Sequence, residues 1–406
     1  MKIRHDEFVR TGPGTLAGRF MRSFWQPVYL STDLKSGRAV PLHILGEDLT
    51  LYRGGFRVPS PEFRVPGSMP SLRPPELGTR NPELGTPHVV AYRCAHRGTQ
   101  LSTGWVEGDC IRCFYHGWKY DASGQCVEQP AEDPDFAAKV RIQSYPTRDY
   151  LGLIFAYLGE GDPPPFPRYP RLEGEGVLET HAYVRECSYF NSIENNMDEA
   201  HIAFVHRSSS FTDTGLNAFL PEISGEETDY GIVRYGTRPN GAVRVLHLVM
   251  PNLLVFKGEP TSDSGETEGR DQFAWRVPVD DFQHRSFNVS YVHATGDAAE
   301  RYRERMQRRQ GPATGPSANE LAGRVLRGEV HVDELADRPD IVNIQDVVAQ
   351  VGQGQIADRD NERLGRSDVL IILLRKIWLR ELQALAEGRP VKSWAQPRDL
   401  TAAFGV

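Results

Sequence analysis

The sequence predicts an α+β protein with a small antiparallel β domain followed by a larger domain of antiparallel sheet and helices. Three observations carry this. Short β-like runs separated by turn residues fill the first 157 positions. A proline-rich stretch, Asp162-Pro-Pro-Pro-Phe-Pro-Arg-Tyr-Pro170, then reads as a linker. Beyond it come a helical segment around 191–206, β-like runs at 231–235, 243–257 and 285–292, and a mostly helical end.

In the first part the candidate strands are Trp25–Tyr29, Leu49–Tyr52, Val89–Arg93, Cys110–Ile111 and Leu153–Tyr157. Asp121-Ala-Ser-Gly124 is a turn. Residues 54–87 interrupt the pattern: thirteen of the 34 positions are Pro or Gly, too many to propagate a sheet or helix. Phe-Arg-Val-Pro recurs at 56–59 and 63–66, and Pro-Glu-Leu-Gly-Thr at 75–79 and 82–86. The segment reads as a flexible insertion in a hairpin between Leu49–Tyr52 and Val89–Arg93. Toward the C-terminus, an Arg- and Glu-rich stretch near 298–310 reads as exposed and 368–387 as an amphipathic helix.

The composition (406 residues, 39% hydrophobic, 25% charged) suits a chain that buries a sizeable core. A net charge of -7 without a basic run argues against a nucleic-acid partner. The N-terminus lacks a signal-peptide core. The most apolar run, Val369–Leu374, stops at Arg375 and Lys376, so no membrane span is expected. Five cysteines, an odd and sparse set, point to a reducing, cytoplasmic setting and to metal or redox work.

The strongest chemical signal is Cys94-Ala-His96 with Cys113-Phe-Tyr-His116, each pair followed by a glycine, Gly98 or Gly117. Two thiolates and two imidazoles suit an asymmetric [2Fe–2S] centre, with Cys94 and Cys113 on one iron and His96 and His116 on the other. A structural Cys₂His₂ zinc site is the rival, but zinc fingers group Cys with Cys and His with His. A second constellation reads Asn195-Asn-Met-Asp198-Glu-Ala-His201-Ile-Ala-Phe-Val-His206. Five residues apart on a regular helix, His201 and His206 would diverge by about 140°. Shared ligation therefore predicts a local distortion between 201 and 206, such as a π bulge. The other eight histidines match no ligand spacing; His247, in an apolar run, is the one that could line a pocket.

The words Cys-Ala-His-Arg-Gly and Cys-Phe-Tyr-His-Gly-Trp resemble the Rieske signature of ring-hydroxylating oxygenases, and the second constellation resembles their N-x-x-D-x-x-H-x4-H motif. The resemblance runs from Gly12-Pro-Gly14 to Ser367-Asp368 and is closest to the phthalate-dioxygenase-like branch. Thr99 and Tyr115 stand where respiratory Rieske proteins carry a disulfide, in keeping with the oxygenase branch. The resemblance implies an N-terminal segment at 1–20 packing on the catalytic domain, a Rieske domain at 21–165, and a helix-grip catalytic domain at 166–406. It implies a mononuclear Fe(II) held by His201, His206 and a carboxylate. Asp346, in Ile344-Gln-Asp-Val-Val-Ala-Gln350, is the best match, ahead of Asp358, Asp360 and Glu362. It also implies that Asp198 links a Rieske histidine of the neighbouring subunit to an iron-ligand histidine, against the simpler reading of a helix-start acid. Asn195 is expected to support the site rather than ligate.

The implied activity is hydroxylation or O-demethylation of a small aromatic substrate by O₂, in a homotrimer fed by a ferredoxin or flavin reductase. The alternative is a Rieske electron-transfer protein with a non-functional catalytic domain. Phe204, Leu216, Phe219, Leu248 and Phe256 would make an apolar pocket, although packing explains them equally. No basic residue is assigned to a substrate carboxylate.

Overall fold

The structure is a computed structural model and describes residues 3–55, 85–133, 135–209, 211, 215–258, 270–309 and 315–395. The repeated phrases at 56–59, 63–66 and 75–79 lie outside the described residues, as does most of the second copy at 82–86. Contacts divide the chain into two units, Arg22–Phe166 and Met1–Met21 with Pro167–Val406.

In the Arg22–Phe166 unit, frequent turn residues keep the strands short. They are β1 (Trp25–Leu30), β2 (Ala39–Ile44), β3 (Glu47–Arg53), β4 (Pro87–Ala91), β5 (Trp105–Glu107), β6 (Cys110–Arg112), β7 (Lys119–Tyr120), β8 (Cys126–Glu128), β9 (Ser144–Tyr145), β10 (Thr147–Tyr150) and β11 (Leu153–Tyr157). They pair in three sheets, β1-β11-β10, β2-β3-β4-β9 and β5-β6-β7-β8. The turn at 121–124 forms through Asp121, whose Oδ1 accepts from the N–H groups of Ser123 and Gln125. Gly124 is required there: φ is +83°, and a Cβ would sit 2.2 Å from the Ile142 carbonyl oxygen. β3 and β4 pair antiparallel with Leu49 opposite Ala91, so 54–86 connects the two strands of a hairpin.

The second unit is built on one seven-stranded antiparallel sheet, β12 (Val177–Arg185), β13 (Glu222–Glu227), β14 (Gly231–Thr237), β15 (Val243–Val249), β16 (Leu253–Gly258), β17 (Arg270–Pro278) and β18 (His284–Val292). Its order is β12-β18-β17-β16-β15-β14-β13. The helices, in chain order, are α1 (Leu16–Arg22), α2 (Tyr189–Met197), α3 (His201–Val205), α4 (Gly296–Arg309), α5 (Ala318–Leu326), α6 (Ile341–Gly352) and α7 (Val369–Ala386). α2 packs on β17, α6 and α7, and α3 packs on α6. Among the described residues no helix is long and apolar enough to cross a membrane.

Three strands escape the sequence pattern. β12 carries Glu179, His181, Tyr183 and Arg185 on one face, and none of Leu178, Thr180, Ala182 and Val184 on the other is buried, so no row of core residues marks it. β13 reads Glu-Ile-Ser-Gly-Glu-Glu and lies at the sheet edge, where charge is tolerated. β17 begins Arg-Asp-Gln before its buried residues start to dominate. The run at 243–257 is two strands, folded back at Met250-Pro251-Asn252.

α7 is anchored by Trp378, which is fully buried. Phe8, Phe20, Tyr189 and Phe190 surround it with centroids 5.1–6.5 Å away. The Tyr189 hydroxyl donates to the Phe8 carbonyl at 2.6 Å, tying the N-terminal segment to α2. Emptying this space removes both apolar burial and close contact. Trp378→Ala is therefore expected to lower the stability of this unit by roughly 3–5 kcal/mol, read as a shift in its urea midpoint.

Candidate metal centres

The two Cys/His loops share one design. Each has six residues, Cys94–Thr99 closed by the bridge Arg93↔Gln100 and Cys113–Trp118 closed by the pair Arg112↔Lys119. In each, the first-residue N–H donates to the last carbonyl, Cys94 to Thr99 at 2.9 Å and Cys113 to Trp118 at 2.8 Å. In each, the fifth residue is a glycine donating back to the cysteine carbonyl, with φ of +75° at Gly98 and +74° at Gly117. The loops differ in histidine position, third in one and fourth in the other.

Both cysteines are buried, while His96 is half-buried and His116 exposed. Burial pushes the Cys113 thiol up, and neighbouring Cys94 adds to it. The Cys94 sulfur lies 3.2 Å from the Tyr120 hydroxyl. The imidazole rings are 4.5 Å apart, and Trp118 stacks on His96 at 4.4 Å and 6°. Arg112 holds the second loop by donating to the Gly117 carbonyl at 2.8 Å, itself fixed by Glu107 and Glu128.

In the second unit the structure brings together His201, His206 and Asp346, with one donor atom from each within 4.8 Å of the others. Among the described residues this is the one such group. His206 and Asp346 approach to 3.4 Å. The His206 Nδ1 meets Gln345 Oε1 at 3.0 Å, which places a proton on Nδ1 and turns Nε2 toward Asp346. Asn195 Nδ2 donates to Asp346 Oδ1 at 3.4 Å, and Arg185 lies 4.0 Å from Oδ2. Burial raises the Asp346 carboxyl, but His206 and Arg185 outweigh it and hold the group well below the usual carboxylate range. Burial lowers His201 against the pull of Asp346 and Asp198, which favours the neutral, ligating imidazole.

The five-residue spacing is resolved without a π bulge between 201 and 206. The helix instead stops within that span, and a further break lies upstream, where Asp198 leaves α2 with φ -84° and ψ 120° and makes α3 a separate short turn. It ends at Val205, so His206 sits beyond the helix with φ -101° and ψ 21°. Freed from helical spacing, the two rings lie 5.4 Å apart. Asp198 supports the start of α3 and faces His201. Oδ1 accepts from the N–H of Ala200 at 2.7 Å and of His201 at 3.3 Å, and Oδ2 lies 3.8 Å from His201 Nδ1.

Glu199, inside the interruption, is fully buried and pairs with Arg234, Arg238 and Arg244. Arg234 also donates to the carbonyls of Asn196 and Asp198. The sequence reading missed this cluster, Gln345 and Arg185. The arginines are scattered over β12, β14, β15 and the turn between the last two, and Gln345 was visible only as the neighbour of Asp346.

The competing carboxylates are engaged elsewhere: Asp360 with His5, Glu362 with Arg375, and Asp358 with Asn361. Of the expected pocket residues, Leu216 and Leu248 are buried and Phe256 is half-buried, whereas Phe204 and Phe219 are exposed at 66% and 48% and line no interior. His247 is buried, with Nδ1 2.7 Å from the Tyr230 hydroxyl.

Comparison with known proteins agrees with this geometry. Residues 24–146 match the Rieske [2Fe-2S] domain. The chain is 30% identical to the tert-butanol monooxygenase / tert-amyl alcohol desaturase oxygenase subunit of Aquincola tertiaricarbonis, over 97% of this chain and 79% of that one. It is 28% identical to the 5,5'-dehydrodivanillate O-demethylase oxygenase subunit of Sphingobium sp., over 96% and 82%. Among solved structures, the oxygenase of carbazole 1,9a-dioxygenase in its reduced complex with ferredoxin superposes with a TM-score of 0.62 at 20% identity, covering 91% and 93%.

The chain belongs to the Rieske non-haem iron oxygenases. It is an oxygenase component, an oxidoreductase that hydroxylates or O-demethylates its substrate, and the electron-carrier alternative is not favoured. Its cofactors are a Rieske [2Fe–2S] cluster and a mononuclear iron. The donors present fit both. The soft sulfurs lie at the buried end of one site, and His96 Nδ1 is buried without a hydrogen-bond partner among the described residues. The other site gathers two imidazoles and a carboxylate.

The Glu199 cluster generates a pH prediction. Burial raises this carboxyl, and Arg244, Arg234 and Arg238 outweigh it, so its folded pKa is lowered. Its stabilisation is complete above the ordinary glutamate value of about 4.3 and is lost as pH falls through the lower folded value. Glu199→Gln is expected to cost roughly 3–5 kcal/mol at neutral pH, because three buried guanidiniums lose their counter-charge. It is also expected to flatten the acid limb of stability against pH, measured by denaturation from pH 7 to 3.

Proposed function

We propose that His201, His206 and Asp346 ligate the mononuclear Fe(II), and that Cys94, Cys113, His96 and His116 ligate the Rieske cluster. The convergence of three donor atoms within 4.8 Å, from residues 145 positions apart in the chain at the extremes (346 − 201), carries the reading. When bound, the cluster supplies single electrons and the ferrous ion supplies open positions for O₂. The chain does the placing. Gln345 fixes the His206 tautomer. Asn195 and Arg185 hold the Asp346 carboxylate on its two oxygens. Asp198 orients His201 and is the positioning residue through which the iron site senses a Rieske domain.

We further propose a small aromatic substrate, a homotrimer, and a ferredoxin or flavin reductase as electron donor in the cytoplasm. The donor assignment is supported by the ferredoxin bound to the carbazole dioxygenase oxygenase. The aromatic class is supported by the named activity of the dehydrodivanillate O-demethylase.

Anaerobically purified protein should contain about three irons and two acid-labile sulfides per chain. Asp346→Ala should drop to about two irons, keep the reduced Rieske EPR signal, and lose substrate oxidation. Full activity in that variant would remove Asp346 from the ligand set. Asp198→Asn should keep all three irons yet slow reoxidation of the reduced cluster in a single turnover. If reoxidation proceeds at the wild-type rate, Asp198 is a helix cap alone.

A further inference from the structure

α2 buries seven of its nine residues, and three of the seven are polar: Asn191, Ser192 and Glu194. Phe190, Ile193 and Met197 recur at helical spacing and form its apolar face. Asn191, Ser192 and Asn195 fall on another side, which meets α6. Asn195 Nδ2 donates to Asp346 Oδ1. One turn earlier, the Ser192 hydroxyl donates to the Gln350 side-chain oxygen. Asn191 Nδ2 donates to the Gln350 carbonyl at 3.4 Å and to the Gly354 carbonyl at 3.1 Å. One turn up α2 (195 − 191 = 4) matches one turn down α6 (350 − 346 = 4). The contacts are two rungs of one polar ladder between antiparallel helices.

Apolar contact is non-directional and does not by itself set how far one helix is advanced along another. A hydrogen bond does, since it weakens steeply with distance and angle. Asn191, Ser192 and Gln350 are at most 1% exposed, so water does not compete for these bonds. They also act at the end of α6, where the last carbonyls of a helix lack partners within it. Asn191 is oriented from its other side, accepting from Arg359 Nη2 at 2.9 Å and from the Ala357 N–H at 3.4 Å. Glu194 anchors α2 separately, accepting from Arg359 at 2.8 Å and from Arg375 of α7 at 2.6 Å. The ladder passes that fixed position on to α6.

The mononuclear site depends on this register. His201 and His206 follow from the end of α2 through the break at Asp198, whereas Asp346 stands on α6. His206 and Asp346 approach to 3.4 Å. A shift of α6 by one residue carries Asp346 about 1.5 Å along the axis and turns it by about 100°. Metal ligands tolerate only about 0.2 Å. Asn195 does not secure the register alone, because its 3.4 Å bond ends on the very carboxylate that has to be placed.

We propose that Ser192 and Gln350, braced by Asn191, are positioning residues for the mononuclear iron. They hold α6 in the one register along α2 that brings Asp346 to His206, and so set how tightly the ferrous ion is retained. The proposal rests on the mononuclear iron reading above. These residues stand outside the ligand group and act through Asp346.

The test separates register from stability. Reduced holoenzyme of the wild type, Ser192→Thr, Gln350→Met and Ser192→Ala/Gln350→Met is mixed anaerobically with ferrozine, and release of Fe(II) is timed. The reduced Rieske EPR signal reports that the cluster stays intact, and a urea midpoint reports stability. Nitric oxide is added to separate samples, and the EPR signal of the ferrous–nitrosyl site is recorded. Removing the hydroxyl and the amide together leaves neither bonded atom unpaired, so the double variant should keep most of the stability. It should still release Fe(II) roughly tenfold faster than the wild type and change the nitrosyl signal. Gln350→Met should do the same in lesser degree. Ser192→Thr, which keeps the hydroxyl, should match the wild type. Wild-type release and an unchanged nitrosyl signal in the double variant would overturn the proposal. So would fast release confined to variants whose urea midpoint also falls. If the double variant fails to fold, Gln350→Met decides by the same two readings, since methionine fills the space of glutamine. Failure of the iron reading looks different: the wild type itself then yields no chelatable third iron and no nitrosyl signal.

Discussion

The interruption between α2 and α3 is the constraint on which the catalytic unit depends. A continuous helix would turn His206 about 140° away from His201. The chain avoids this by ending α3 at Val205, so that His206 lies at its boundary, while the break at Asp198 sets where that single turn begins. Two interactions hold the restart, and their magnitudes differ. The Asp198 side chain caps α3, which is worth about 1 kcal/mol. Glu199 is locked by three arginines in a buried cluster, where loss of one partner costs roughly 3–5 kcal/mol. The cluster therefore dominates, and because its arginines lie on β14, on β15 and in the turn between them, the sheet holds the start of α3 in place. That leaves Asp198 free to face His201 with its second oxygen.

The Rieske loops solve a different problem with the same economy of parts. Two six-residue loops with matching hydrogen bonds present their cysteines to a core that includes Tyr120, Ile111 and Trp118. With the histidine moved by one position between the loops, His96 is half-buried and His116 exposed. Cys94 and Cys113, the thiolates proposed to ligate, sit in the protected interior.

Around the mononuclear site the ligands are held from outside. Gln345, the residue before Asp346 on α6, meets His206 Nδ1, so one helix contributes both a proposed ligand and the orientation of another. Arg185 reaches the same carboxylate from β12. The relatives named for tert-butanol, tert-amyl alcohol and dehydrodivanillate match nearly the whole of this chain.

Much of this was legible in the sequence. Cys94, His96, Cys113, His116, His201 and His206 stand close together in the chain at spacings that state their chemistry, because short loops and one helix turn must supply several donors at once. The strands with apolar alternation were readable for the same local reason. β12, β13 and β17 were not, since their side chains serve a polar face or an edge. Asp346 could be matched by resemblance, but its distance to His206 arises from packing of α3 on α6. The site of the helix interruption and the Glu199 cluster were decided by the tertiary structure alone. Each depends on the register of strands far apart in sequence. No local spacing encodes which buried charges will face one another once the sheet has formed.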